Sequence, residues 1–304
     1  MSIVLLFIDG VGLGGPDTAN PFHVHSYEAF ESLAGGQPFT AEAEACQNEH
    51  SLFRPLDACL DVEGLPQSGT GQVSLFTGEN AAKIINRHFG PFPHSQTRYL
   101  LENYSLFHEV KELGLSPYFM NAYPDRFFRF MNQRNRWTST TLMAKSAGLE
   151  LNTIDEIHSG TAVTAELTQQ AWKERLQLDV PEIQPEDAAA RVLKMLQSRD
   201  LVLVEYYLTD KAGHAQSMER SHGVLTVLNR FIGHLTDQMN HSNGESLVIT
   251  SDHGNIEDLS SKTHTFNSVP LMTYGDAAAE FSQVNSIMEV KNAVINALHK
   301  KVHT

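Results

Sequence analysis

The stretch Ser246-Leu247-Val248-Ile249-Thr250-Ser251-Asp252-His253-Gly254-Asn255 passes from an apolar run straight into an acid, an imidazole and a glycine. A short run that is apolar throughout, rather than alternating, suits a strand covered on both faces. The same arrangement recurs twice: residues 3–8 end in Asp9, and residues 201–208 run into Thr209-Asp210-Lys211-Ala212-Gly213-His214. Further apolar runs lie at 117–121 and 269–274. Helical patterns separate them. In 98–113, Leu100, Leu101, Tyr104, Phe107 and Leu113 recur at helical spacing and Gly114 follows as a C-cap. Pro185-Glu186-Asp187 opens a helix over 185–198, and two more cover 218–239 and 287–301. This alternation predicts an α/β protein, a three-layer sandwich with a mostly parallel central sheet and helices on both faces. No linker interrupts the chain, so residues 1–304 read as a single domain. The least regular stretch, 123–163, reads as a specificity insertion over one face.

Ligands of open α/β sheets bind at the carboxyl ends of the strands. Parallel strands ending in Asp9, Asp210 and Asp252 therefore bring three carboxylates to one edge, which is costly unless cations neutralise them. Asp210 and His214 are four residues apart, a usual spacing for two ligands of one metal. His264 follows eleven residues after His253. A mixed set of imidazoles and carboxylates suits Mn²⁺ or Zn²⁺ better than Ca²⁺.

Gly10-Val11-Gly12-Leu13-Gly14-Gly15 matches G-x-G-x-x-G after a strand. A dinucleotide site needs a helix to begin there, and Pro16 and Asn20-Pro21 prevent one. These glycines instead let a loop pass close to whatever lies at the strand end. A second Gly-rich turn, Gly64-Leu65-Pro66-Gln67-Ser68-Gly69-Thr70-Gly71-Gln72, leads into a short apolar helix. Thr70 falls at its N-terminus, where free N–H groups favour an anion. Beside two cations its hydroxyl becomes a nucleophile for phosphorus, with Ser68 the competing hydroxyl.

The order Asp9, Gly-Leu-Pro…Thr70, Asp210-x-x-x-His214, Asp252-His253-Gly254-Asn255, His264 resembles the alkaline phosphatase superfamily. Its nearest branch is the cofactor-independent phosphoglycerate mutases and phosphopentomutases. The resemblance runs in order from the first strand to Val269-Pro270. It implies two divalent metal ions, one held by Asp210, His214 and His264, the other by Asp9, Asp252, His253 and the Thr70 oxygen. Thr70 stands where mutases of the branch carry Ser. Those mutases insert a large substrate-reorienting domain after the nucleophile helix, whereas here only residues 79–97 separate Gly78 from the helix at 98–113. Arg126, in Asn121-Ala122-Tyr123-Pro124-Asp125-Arg126-Phe127, stands where the mutase carries a phosphate-facing Lys, and an arginine there can grip a phosphoryl oxygen.

Arg126, Arg129, Arg134 and Arg136 place four of the twelve arginines within eleven residues. Interleaved with Phe127, Phe128, Phe130 and Trp137, they suggest a local anion site. His88 and His94 flank Gly90-Pro91-Phe92-Pro93 and are candidates for the substrate entrance. The chain as a whole is acidic, with 36 Asp plus Glu, 22 Lys plus Arg and a net charge of −14, which disfavours nucleic acid and anionic membranes as partners. Its two cysteines form no disulfide framework, neither stands at Thr70 as a sulfatase would require, and the N-terminal apolar run lacks the marks of a signal peptide. A cytoplasmic protein acting on a small phosphorylated substrate is the expectation. Its reaction is hydrolysis of a phosphomonoester through a phospho-threonine. The alternatives are a phosphomutase of the phosphoglycerate or phosphopentose type and an inactive metal-binding protein.

Overall fold

The computed structural model describes residues 1–134, 136–240 and 243–302. Seven strands form one sheet: β1 (Ser2–Ile8), β2 (Cys46–Gln47), β3 (Ser51–Leu56), β4 (Pro117–Phe119), β5 (Leu201–Tyr206), β6 (Glu245–Thr250) and β7 (Val269–Gly275). Their order is β2-β3-β7-β6-β1-β5-β4. The neighbours β6, β1, β5 and β4 run parallel, while β7 is antiparallel to both β6 and β3.

β1 explains the layering. Ile3, Leu5 and Phe7 point to one face and pack with Phe76, Phe107, Phe119 and Leu298, from helices Ser68–Thr77, Leu106–Glu112 and Ile287–Val302 and from β4. Val4, Leu6 and Ile8 point to the other and pack with Val192, Leu228, Phe231 and Leu235, from helices Pro185–Leu196 and Met218–Gln238. A strand whose alternate residues all enter a core must read as continuously apolar. The predicted three-layer α/β sandwich is the observed fold.

All five expected strands are present, and the differences have local causes. β5 ends at Tyr206 rather than 208 because Leu208 already opens the helix Leu208–Ala215. The helix expected over 98–113 is two, Arg98–Asn103 and Leu106–Glu112, with Ser105 at the N-cap of the second. Gly114 follows with φ +75° as the cap. β3 was not expected because Arg54 and Pro55 break its apolar pattern; Pro55 faces Pro270 across the ladder. The 123–163 stretch is less irregular than expected, since it contains helices Asp125–Arg134, Ser139–Ser146 and Ile154–Ser159. The middle one reads Ser-Thr-Thr-Leu-Met-Ala-Lys-Ser, and burial of its hydroxyls hides the apolar periodicity.

The parallel strands deliver Asp9 and Asp210 side by side. Thr209 Oγ1 donates to the Asp9 carbonyl at 2.6 Å, and Gly10, at φ +70°, lies so close that an added Cβ would sit 2.8 Å from Asp210 Cβ. Gly10→Ala therefore combines left-handed strain with a clash, and should lower stability by about 1–3 kcal/mol. An unchanged urea midpoint would show that the loop can retreat from Asp210 at no cost.

Candidate metal centre

Asp210 and His214 share one face of the helix Leu208–Ala215, and His264 arrives from the loop after β6. His214 Nε2 lies 3.4 Å from Asp210 Oδ2, and His264 Nε2 lies 3.5 Å from Asp210 Oδ1 and 3.3 Å from His214 Nε2. The far ring nitrogens are fixed by backbone. His214 Nδ1 donates to the Lys262 carbonyl and His264 Nδ1 to the Pro66 carbonyl, each at 2.7 Å. With Nδ1 protonated, a neutral ring presents an Nε2 lone pair. Two such lone pairs and a carboxylate converge on one point.

Asp9, Asp252 and His253 form the adjoining group, their ligand atoms within 4.8 Å of one another. His253 Nε2 is 3.3 Å from Asp9 Oδ1 and 3.5 Å from Asp252 Oδ2. The His253 and His264 rings stack at 3.7 Å, so the two groups touch. Burial, with the Asp252 charge next in weight, raises Asp9 to about 7. Burial also raises Asp252, against the pull of His253. For His253 burial alone would lower the pKa, but Asp252 and Asp9 outweigh it and push it up to about 10. Asp210 is the exception. Burial would raise it, but the adjacent His214 and His264 imidazoles outweigh that and hold it well below the usual carboxylate range.

Asp9 Oδ1 and Asp252 Oδ2 are buried and have no hydrogen-bond partner among the described residues. Orphaned anionic oxygens and facing imidazole lone pairs are unfavourable without a cation. These donors fit divalent metal ions.

The hydroxyl beside this centre is not Thr70. Thr70 is fully buried, and its Oγ1 contacts the Gln67 carbonyl at 3.2 Å and the Phe89 carbonyl at 3.4 Å, while accepting from Phe89 N at 3.2 Å. Ser68 Oγ instead lies 2.9 Å from His253 Nε2. The helix begins at Ser68, and a residue two places along is turned about 200° around the axis. The structure thus brings Ser68, and not the expected Thr70, to the metal-ligand groups.

Sequence reasoning missed the residues that support the ligands. Gln72, one turn beyond Ser68, donates to Asp9 Oδ2 at 3.2 Å. Asn255 Nδ2 donates to Asp210 Oδ1 at 2.6 Å. Buried Glu257 accepts from Gly12 N at 2.9 Å, Asn255 N at 2.8 Å, Asn267 Nδ2 at 3.1 Å and the Thr265 hydroxyl. It thereby ties together the three loops that follow Asp9, Asp252 and His264. The Gly-rich stretch after Asp9 passes close to this carboxylate, which leaves no room for a Cβ on Gly12. Glu205 is buried on β5 and raised to about 7 by burial, despite a 2.9 Å hydrogen bond from Thr140 Oγ1. A single acid in an apolar run gives little sequence signal.

The Metalloenzyme superfamily matches residues 1–301. The chain belongs to this superfamily. Among curated proteins, the 2,3-bisphosphoglycerate-independent phosphoglycerate mutase of Pseudomonas fluorescens is 26% identical over 130 residues, covering 38% of this chain and 25% of the mutase. The corresponding mutase of Rhodopirellula baltica is 32% identical over 101 residues, 30% of this chain and 18% of its own. The chain thus matches a quarter or less of these relatives' length. Two solved structures share the fold nearly end to end. Alkaline phosphatase from the Antarctic bacterium TAB5 has a TM-score of 0.57 at 11% identity, covering 98% of this chain and 97% of the other. Leishmania mexicana phosphoglycerate mutase has 0.53 at 12% identity, covering 98% and 95%. The resemblance read from the motifs is borne out at the level of superfamily and fold.

The remaining expected residues of this superfamily member are dispersed. Arg126 is exposed on the helix Asp125–Arg134, where its charge lowers the pKa of Tyr207, itself raised to about 12 chiefly by burial. No contact joins Arg126 to the metal-ligand groups among the described residues. Arg129 is exposed on the same helix. Arg134 lies 4.5 Å from the Phe130 ring centroid. Arg136 lies 4.7 Å from that of Phe92. His88 Nε2 donates to the Cys59 and Val62 carbonyls at 3.1 and 3.2 Å. His94 packs edge-on against Phe89. No helix among the described residues is long and apolar enough to cross a membrane.

Two outcomes follow from the centre. Asp9 and Glu205 have folded pKa values of about 7 against ordinary values of 3.8 and 4.5, so their protonation favours the fold. Stability of the metal-free protein is full below the ordinary values and falls as pH rises through 7. Its melting temperature should drop between pH 5 and 8, and Mn²⁺ should raise it more at pH 8, where fewer protons are displaced; a flat profile would contradict the assignment. Glu257→Gln removes the charge that pins the three loops. Mn²⁺ affinity by calorimetry should weaken about 10–100-fold, and wild-type affinity would deny Glu257 that role.

Proposed function

We propose that the protein is a binuclear metal-dependent phosphomonoester hydrolase with Ser68 as its nucleophile. The observation that carries this reading is Ser68 Oγ at 2.9 Å from His253 Nε2, at a helix N-terminus beside carboxylates that await a cation. Asp210, His214 and His264 would hold one ion, and Asp9, Asp252 and His253 the other. Two divalent ions bound there would lower the pKa of the hydroxyl, so that its proton leaves to solvent, and offset the charge on the phosphoryl oxygens. Ser68 Oγ then forms a bond to phosphorus as the bond to the leaving oxygen breaks, and the leaving oxygen takes a proton from solvent. Water attacks the phosphoserine, releases inorganic phosphate and returns a proton to Ser68. Gln72 keeps Asp9 oriented and Asn255 keeps Asp210 oriented throughout.

The second reading is a phosphomutase, favoured by the identity of the curated relatives above. Both readings share the first step and differ in whether product recaptures the phosphoryl group. The short 79–97 segment favours hydrolysis, since it leaves little chain to hold the dephosphorylated product for the return transfer.

With Mn²⁺ or Zn²⁺, Ser68→Ala should lower kcat for phosphate release by about 10³-fold or more, whereas Thr70→Val should keep it within about tenfold, as expected of a residue whose hydroxyl makes only backbone contacts. Quenched wild-type protein should carry the phosphoryl group on the peptide containing Ser68. Full activity in Ser68→Ala would end the nucleophile assignment, and isomerised phosphoester without free phosphate would replace hydrolase with mutase.

A further inference from the structure

The two ligand groups differ in how they meet solvent. The side chains of Asp252 and His253 are 0% exposed, whereas that of His214 is 44% exposed. Displacement at phosphorus sets the entering and departing oxygens on opposite sides. Ser68 lies against His253, so on the hydrolase reading the ester oxygen departs toward Asp210, His214 and His264. The rest of the leaving alcohol then passes the open edge at His214, and whatever surrounds that edge reads the substrate.

The surroundings are cationic. Lys211 directly follows the ligand Asp210 on the helix Leu208–Ala215 and stands three residues before His214, so Lys211 and His214 are neighbours on the helix surface. Its Nζ lies 4.2 Å from the Tyr207 ring centroid. Loss of water lowers its pKa most, the charges of Arg220 and Arg175 lower it further, and Asp210 and Asp9 pull the other way. Lys211 therefore senses two carboxylates of the metal centre on one side and two further cations on the other. Arg220 lies in the first turn of the helix Met218–Gln238, fixed by a 3.3 Å hydrogen bond from its N–H to the capping Ser217 Oγ. Arg175 ends the helix Gln170–Glu174. All three side chains belong to exposed residues, and none is paired with a carboxylate among the described residues, in a chain with 36 acids. Lys211 and Arg220 also sit near the positive ends of their helices, where a cation is disfavoured. Three cations placed against both mutual repulsion and helix dipoles suit a dianion, and guanidinium forks match phosphate oxygens.

Resting on the hydrolase reading, we infer that Lys211, with Arg220 and Arg175 behind it, forms a subsite for a second phosphate on the leaving alcohol. The substrate class is a small bisphosphorylated alcohol. Because Lys211 and the ligand Asp210 are adjacent residues, the second phosphate stands only a few bonds from the ester that is cleaved.

The test presents one three-carbon chain with four different ends to the Mn²⁺-loaded protein: 1,3-propanediol bisphosphate, 3-phosphooxypropanoate, 3-hydroxypropyl phosphate and 3-aminopropyl phosphate. After halving for its two equivalent esters, the bisphosphate should exceed the hydroxyl compound by about 10–100-fold in kcat/KM, the worth of hydrogen bonds to a charged group. The carboxylate should fall between them, and the ammonium compound should come last. Lys211→Gln and Arg220→Gln should each cut the bisphosphate-to-hydroxyl ratio by about fivefold or more. The ratio is read rather than the rate, because removing a charge beside Asp210 also acts on the ligand group. A wild-type ratio near one, a ratio unchanged in both variants, or a carboxylate preferred to the bisphosphate overturns the inference. If none of the four is cleaved, the hydrolase reading fails on its own, and the subsite is judged by binding. Calorimetry should then show the bisphosphate held about tenfold or more tightly than the hydroxyl compound, with that preference lost in Lys211→Gln; equal affinities overturn it.

Discussion

Three carboxylates gathered at one edge of a parallel sheet are the constraint on which the rest of this protein depends. Asp9, Asp210 and Asp252 stand at the ends of neighbouring strands because β1, β5 and β6 run side by side in one direction. Left to themselves, like charges in a buried place repel and take up protons, as the raised pKa values of Asp9 and Asp252 show. The imidazoles only partly relieve this. His253 is drawn toward the charged form, whereas His214 and His264 are held by backbone carbonyls with their lone pairs inward. The sheet therefore creates an electrostatic demand that its own side chains do not satisfy.

Meeting that demand requires loops to stay where the strands leave them. Glu257 gathers the backbone after Asp9, the turn after His253 and the residues after His264 onto one carboxylate. Gly10, Gly12 and Gly254 are the positions where backbone comes so near a neighbouring side chain that no Cβ fits. The cost is conformational freedom lost in folding, and the return is a ligand set held by a rigid frame rather than by flexible loops.

The architecture was legible in the sequence because strands buried on both faces leave an unbroken apolar trace, and because acids at successive strand ends share an edge in any parallel arrangement. Six of the seven metal-ligand candidates, the acids and imidazoles, follow from that logic, and the structure brings those six into two touching groups. The choice between Ser68 and Thr70 was not legible. Both lie in one Gly-rich turn, and only the helix start decides which hydroxyl turns toward His253. Glu257 and Gln72 were hidden for a related reason, since a residue that serves a ligand from a distant loop carries no local pattern. The four arginines were visible as a cluster, but only three-dimensional packing shows Arg136 over Phe92 and Arg126 near Tyr207.

His264 touches two parts of the machine with one ring. Its Nε2 faces Asp210 and His214, and its Nδ1 is anchored on the carbonyl of Pro66, two residues before Ser68. On the proposed reading, occupancy of the first ligand group and the posture of the Ser68 turn are consequently linked quantities, and linkage is reciprocal. Whatever steadies the ring for a cation would also steady the approach of the serine, and a phosphoryl group resting on Ser68 would in return alter how firmly that cation is held.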